Sequence, residues 1–361
     1  MPERILDAMA DRLYELEERL WVHLVLAGEK KFGEDVIVTF AKFVIEHGST
    51  PRRCQLETGR VYPPSPDDSG YCPDLVVVGA ASRDLATDDP RGWRLGGAVT
   101  YCSLAAARLG LRVGCLLGVD GEAADADELG LLREAGVEPR LVRLDHGPVF
   151  ENLATDGHRS QRWLSKSDEI PVAALPSAWL EARGRLLVPV AGEVGEQWAG
   201  IPASGARVAV GPQGILREFA DDGSVRRVDL WPSALLRTAG LVCVSLDDLT
   251  VGTELGCLRA LAPEAAIVLT AGDGGGVALR VGGLFRYRSV AANRVVDPTG
   301  AGDVFLAALM AAWLLTGEPA TSRALHFASA AGSCAAEGVG LAGVPTRAQV
   351  AERLRGSASS V

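Results

Sequence analysis

Lysine is nearly missing from this chain of 361 residues: Lys30, Lys31, Lys42 and Lys166 are its only ammonium side chains, and three of them lie near the start. Arginine supplies the remaining basic charge, yet acids outnumber bases and the net charge is -10. That balance excludes nucleic acid as the main partner, because a phosphate backbone demands a basic surface. The seven cysteines, at 54, 72, 102, 115, 243, 257 and 334, include no Cys-x-x-Cys pair. A zinc site is therefore not expected, and scattered reduced thiols suit a reducing compartment. The apolar run Val304 to Leu315 falls short of the roughly 20 residues that cross a bilayer. Charges interrupt the first turns after Met1-Pro2-Glu3-Arg4, so a signal peptide's apolar core is lacking as well. A cytoplasmic protein with no membrane partner is expected.

What remains is globular. With 48% hydrophobic and 23% charged residues, the chain can bury one large α/β domain plus an appendage. From Asp74 onward, short Val/Leu/Ile runs alternate with Ala/Leu-rich stretches, as at Arg112 to Leu117, Leu186 to Val190 and Val208 to Val210. Such alternation predicts a mainly parallel sheet covered by helices on both faces. Between Leu141 and Leu164 the pattern changes to short extended segments, with turn signals at His146-Gly147-Pro148 and Asp156-Gly157, and hairpin strands are expected there. Residues 1–72 differ in composition. Leu6, Met9, Leu13, Leu16 and Leu20 trace one apolar helix seam, which would dock on the main domain or on a neighbouring subunit in a homodimer. The stretch Val61 to Gly70 reads as a proline-rich linker.

The densest chemistry lies in Val296-Asp297-Pro298-Thr299-Gly300-Ala301-Gly302-Asp303-Val304-Phe305. Two acids and a threonine surround a glycine turn, directly ahead of an apolar stretch with no internal Pro or Gly, so a buried helix starts at the glycines. Backbone N–H groups at a helix start lack intrahelical partners, the dipole is positive there, and anions collect at such ends. Gly300 and Gly302 permit close approach of a charged group. Asp303 beside them can accept an alcohol proton as the alcohol attacks phosphorus. Locally, an aspartate capping a helix after a Gly-rich loop explains the same residues.

The run from Asp297 to Met310 resembles, along its whole length, the C-terminal signature of the pfkB, or ribokinase-like, family of carbohydrate kinases. The resemblance implies a three-layer α/β/α sandwich with a mainly parallel central sheet and a small β lid. It also implies that Asp303 is the catalytic base and that Gly300, Ala301 and Gly302 form an anion hole for the γ-phosphate. Upstream, Asp84 follows the strand Leu75 to Val78, at the place of the family's acceptor-binding aspartate, and Gly96-Gly97 matches its glycine pair. Tyr101 stands where many relatives have Asn, and the segment Leu95 to Tyr101 looks like the inositol-kinase branch, as does Gln213 to Phe219. Packing and substrate contact both remain open for Tyr101.

The nucleotide half is similar too. Thr270-Ala271-Gly272-Asp273-Gly274-Gly275 resembles the family's nucleotide loop, and a plain hairpin turn would use the same residues. Ser245 and Asp248 replace the Asn and Glu that relatives use near ATP and Mg²⁺. Asp248 could orient water around Mg²⁺, whereas Ser245 could equally cap a turn. Asp297 matches a ligand of the family's monovalent cation, K⁺ for instance. The expected domains are an extension over 1–72 and a kinase domain over 73–361, with lid strands within about 84–95 and 141–165 in which Glu151, Asn152 and Arg162 could touch substrate. The implied activity is ATP-dependent phosphorylation of a hydroxyl on a sugar or cyclitol, inositol being the first choice. Ribose, another sugar or a nucleoside are alternatives. Arg162, Arg217 and Arg294 are candidate clamps should the acceptor carry phosphate. A nucleotide- or sugar-binding sensor is the reading from a different class.

Overall fold

The computed structural model describes residues 71–155, 158–201, 205–253, 255–280 and 283–358. The Leu6 to Leu20 seam, the proline-rich linker and the turn at Asp156-Gly157 lie outside the described residues. The described chain begins with strands β1 (Leu75–Ala80), β2 (Ser82–Leu85) and β3 (Trp93–Gly96), then helix α1 (Ala98–Arg108). Next come β4 (Val113–Val119), the short α2 (Leu129–Glu134), β5 (Val137–Arg143), and the paired β6 (Val149–Thr155) and β7 (His158–Ser165). Strands β8 (Gly184–Leu187), β9 (Arg207–Val210), β10 (Arg217–Phe219) and β11 (Val225–Arg227) lead to α3 (Ala234–Thr238), β12 (Leu241–Ser245) and α4 (Leu255–Leu261). The order closes with β13 (Ala266–Thr270), β14 (Gly276–Arg280), β15 (Gly283–Tyr287), α5 (Ala301–Thr316), α6 (Ser322–Ala335) and α7 (Arg347–Ala358).

A nine-stranded sheet runs β15-β14-β13-β12-β9-β8-β1-β4-β5 and is parallel from β13 to β5, with β14 and β15 antiparallel at one edge. Alternation within β1 shows why it lies at the centre. Leu75 and Val77 belong to the apolar layer containing α1, α5 and α6, while Val76 and Val78 belong to the opposite layer with α3 and α4. A strand that buries both faces reads as a continuous apolar run, as Leu75-Val-Val-Val does. The helices therefore sandwich the sheet, as the resemblance implied. Chain order reverses between β1 and β8: one branch leaves β1 toward β4 and β5, the other continues from β8 toward β13. In open α/β sheets ligands bind in the crevice beyond the carboxyl ends of strands at such a switch point.

A second sheet, β3-β2-β6-β7, leaves the large sheet immediately after β1. One expectation needs correcting. Leu141 to Arg143 belong to β5 and pair with β4, so the hairpin starts at Val149 and not at 141. The local pattern misleads because an edge strand with one open face carries polar residues, as Glu138, Arg140 and Arg143 do here.

Candidate active site

Two helix starts meet beyond the carboxyl ends of the central strands. α5 begins after Gly300, whose backbone is left-handed at φ 77° and ψ -5°, a conformation that costs other L-residues about 1–2 kcal/mol. Asp303 sits in its first turn, half-buried, with the wholly apolar run Val304 to Met310 behind it. The Ala301 N–H donates to the Pro298 carbonyl at 3.2 Å, so the glycines on either side are the better placed amide donors in the turn. Neighbouring α1 opens after Gly97 at φ 92°, and its Cys102 Sγ lies 3.3 Å from the Asp303 carbonyl oxygen.

Tyr101 joins the two helices. It is 4% exposed, and a Cβ added at Gly300 would fall inside the Tyr101 ring's van der Waals shell. The ring is thus the floor beneath the glycine turn, and of the two readings of Tyr101 the geometry carries packing. Burial first, then the negative charge of Asp303, push the Cys102 thiol well up. Cys243, in β12, is raised by burial and by the charges of Asp303 and Asp248. Both thiols are buried and pack as small apolar groups.

At the residues expected to face the acceptor, the Asp84 carboxylate packs against Gly96 with no room for a Cβ there, and accepts a hydrogen bond from Ser82 Oγ at 2.8 Å. Antiparallel pairing sets Ser82 opposite Gly96 and Asp84 opposite Arg94, which places all four on one face of the small sheet. Phe150 continues that face beside Asp84. Its ring lies 6.2 Å from Phe219, and Trp163 meets Phe219 edge-on at 5.9 Å. These three rings form an aromatic wall. The predicted contacts Glu151, Asn152 and Arg162 engage one another's strands instead: Arg162 pairs with Glu151 at 3.4 Å, and Gln161 donates to Asn152 at 2.9 Å.

On the donor side, Ser245 and Thr270 end adjacent strands in register. Ser245 Oγ accepts from the Asp247 N–H at 3.2 Å and caps the turn Leu246–Asp248, the capping role left open for it. Asp248 accepts from Gln213 Nε2 and Arg217 Nη2, each at 3.4 Å. The loop holding Gly272 and Gly275 connects the antiparallel β13 and β14, so it is a hairpin tip at the edge of the same crevice. Gly275 has φ 84°, and the backbone of Tyr287 leaves no room for a Cβ. Asp297 turns inward, accepting from the Thr299 N–H at 2.9 Å and the Gly340 N–H at 3.2 Å. A groove of about 770 Å³, lined by Asn293, Glu337, Gln349 and Arg353 among others, opens behind that segment, and Asp303 is not in its lining.

Sequence reasoning missed Glu193. It is 0% exposed beside the switch point, and it accepts backbone N–H bonds from Ala80 at 3.1 Å, Val190 at 2.9 Å and Ala191 at 2.8 Å. Burial nevertheless raises its pKa. The carboxylate ties the end of β1 to the loop after β8 and so shapes the crevice floor. A lone Glu between two glycines, Gly192 and Gly195, carried no signal of this.

Residues 242–347 match the family described as pfkB family carbohydrate kinase. No curated protein sequence matches the chain. Among solved structures, a pyrophosphate-dependent kinase in the ribokinase family, complexed with a pyrophosphate analog and myo-inositol, is 19% identical with a TM-score of 0.62, covering 77% of this chain and 99% of that one. Fructokinase with bound ATP from Xylella fastidiosa is 20% identical at TM-score 0.62, covering 79% and 99%. Arabidopsis thaliana ribokinase complexed with ribose and ATP is 19% identical at 0.58, with the same coverage. At such identities the likeness establishes the fold. The chain is pfkB-like: residues 242–347 match that carbohydrate-kinase family, on a scaffold that has the ribokinase fold.

Proposed function

We propose that this protein phosphorylates a hydroxyl group of a sugar or cyclitol with ATP as donor. The observation that carries the reading is that α1, which starts at the glycine pair packed against Asp84, sets Tyr101 beneath the Gly300 turn and Cys102 against the Asp303 carbonyl one turn later. Asp303 accepts the hydroxyl proton as the oxygen attacks phosphorus. Amides of the Gly300 to Gly302 turn stabilise negative charge on the transferring group. Asp84 accepts acceptor O–H groups and fixes the attack direction, since in-line transfer requires a near-attack geometry. Thr270, Gly272 and Gly275 would border the nucleotide.

The residues present suit Mg²⁺ held chiefly by nucleotide phosphates. No cluster of three or more metal-binding side chains occurs among the described residues, and Mg²⁺ bound with substrate phosphates needs only one or two carboxylates through water. Asp248 would orient that water, and the ion would neutralise charge between the phosphates. Asp297, with each oxygen already taking one backbone N–H, could share them with a monovalent cation such as K⁺. The acceptor class follows the relatives, one complexed with myo-inositol and another with ribose. Because some of these relatives use pyrophosphate, the donor assay needs that compound beside ATP.

The test is ADP or phosphate release by purified protein against inositols, pentoses, hexoses and nucleosides, with Asp303→Asn in parallel. Loss of about 10²- to 10⁴-fold in kcat is expected for the variant. Turnover surviving the substitution nearly unchanged would remove Asp303 from the role of base. ATP binding without turnover of any acceptor would favour the sensor.

A further inference from the structure

Lys166 is the only lysine among the described residues, and it directly follows β7 at the edge of the aromatic wall. Its Nζ lies 5.2 Å from the Trp163 ring centroid and 5.8 Å from that of Phe219, bridging two rings that themselves meet at 5.9 Å. No carboxylate pairs with it among the described residues. Other cations of the lid do pair: Arg83 with Asp120 at 2.9 Å, Arg91 with Glu128 at 2.6 Å, Arg94 with Asp88 at 2.5 Å and Arg162 with Glu151 at 3.4 Å. One ammonium is thus left exposed on the rings that continue the Asp84 face.

We infer that Lys166 recognises a negative charge on the acceptor, a phosphomonoester or carboxylate borne by the sugar or cyclitol; this rests on the kinase reading above. A neutral polyol would lay its C–H groups on the aromatic wall, but the ammonium already covers two of the three rings. Displacing it forfeits the attraction between cation and ring faces. An anionic acceptor leaves the ammonium in place and adds a charge-assisted hydrogen bond. Lysine suits the task, because its flexible stem carries a point charge that can follow a rotating phosphate or carboxylate. In a protein of net charge -10, an anionic acceptor also needs such a local cation to offset the unfavourable overall field.

The test compares three acceptors for each ring: the free sugar or cyclitol, its monophosphate and its carboxylic acid. Wild type, Lys166→Met, Lys166→Arg and Asp303→Asn are assayed for turnover, and calorimetry measures binding of the acceptor alone. Wild type should favour one anionic form by roughly 10- to 100-fold in kcat/KM. Lys166→Met should lose that preference through KM, weakening the anionic acceptors while the neutral ones gain or hold, and Lys166→Arg should keep part of it. Preference for the monophosphate alone would assign phosphate, and equal preference for the acid would assign any small anion. The inference is overturned if free polyols serve as well as their anionic forms, or if Lys166→Met changes both classes equally. The kinase reading fails separately, by absence of Asp303-dependent turnover with every acceptor. In that case calorimetry still decides whether Lys166 binds the anion.

Discussion

Arg185 offers the sharpest check on the packing. It stands in the second position of β8, 1% exposed, with its backbone between Val76 of β1 and Val208 of β9. Nη1 donates to the Ile201 carbonyl, but Nε and Nη2 are buried with no hydrogen-bond partner among the described residues. Burial alone lowers its pKa to about 10, and no neighbouring charge opposes the shift. Each unsatisfied buried donor costs about 1–3 kcal/mol, and an unpaired buried charge adds to that. Met keeps the length of the stem and removes both orphan donors, at the cost of leaving Ile201 without its donor.

Arg185→Met should therefore stabilise the protein by about 1–4 kcal/mol, the range found when buried ionic groups are replaced by apolar ones. At about 2–4 °C per kcal/mol for a domain of this size, the melting temperature should rise by roughly 2–16 °C. The pH dependence supplies a second readout. A folded-state pKa below the usual 12.5 means that the unfolded chain holds this proton more tightly. Ionised Arg185 then opposes folding at neutral pH, and wild-type stability rises as pH climbs through about 10. The advantage of the variant should shrink over that interval, with no slope from this group between pH 6 and 9. Differential scanning fluorimetry across pH is sufficient. A fall of about 3 kcal/mol or more would refute the reasoning, because only a guanidinium paired with a buried carboxylate costs that much to remove.

Two further substitutions test the crevice. Gly300→Ala forces a Cβ into the Tyr101 ring on a left-handed backbone, and should lose at least about 2 kcal/mol together with most activity. Tyr101→Ala in the same chain should recover only part of that stability, since the backbone strain persists; a fully stable Gly300→Ala would sink this account. Glu193→Gln turns an amide donor toward backbone N–H groups that now meet a carboxylate, so chemical denaturation should report a loss of about 1–3 kcal/mol at neutral pH. Its raised pKa means that the wild-type group favours folding most below about pH 4.5 and loses that contribution as it ionises, so the cost of the variant should depend on pH.

Much of the scaffold was legible because its signals are local. Leu75 to Val78, Arg112 to Leu117 and Val208 to Val210 read as strands from apolar runs, and α5 is punctuated by left-handed glycines at both ends, Gly300 and Gly317. The unreadable features depend on residues distant in the chain. Tyr101 lies almost 200 positions from the glycine it supports, so an aromatic residue in α1 could not be distinguished from ordinary core. Asp248 gave no hint of Gln213 and Arg217, because neither partner shares its element. The wall of Phe150, Trp163 and Phe219 needs two strands of one sheet and one of another to come together.

The join between α1 and α5 also explains why acceptor placement and charge stabilisation should respond together. α1 begins at the glycine pair that packs against Asp84, and one turn later it presents Tyr101 to Gly300 and Cys102 to the Asp303 carbonyl. Moving the Gly96-Gly97 pair along the axis of α1 would carry the floor of the Gly300 turn with it, since the Tyr101 ring and the Cys102 thiol are buried and cannot slide without opening a void. The small sheet also reaches the body through ion pairs: Arg83 with Asp120, whose carboxylate is buried, and Arg91 with Glu128, both partly in solvent. The second, more exposed pair can rearrange at little cost. The fold thus joins a rigid unit, in which α1 and α5 hold Asp303, the Gly300 turn and the Gly96-Gly97 pair at the end of β3, to the rest of the small sheet, whose outer edge is tethered through ion pairs.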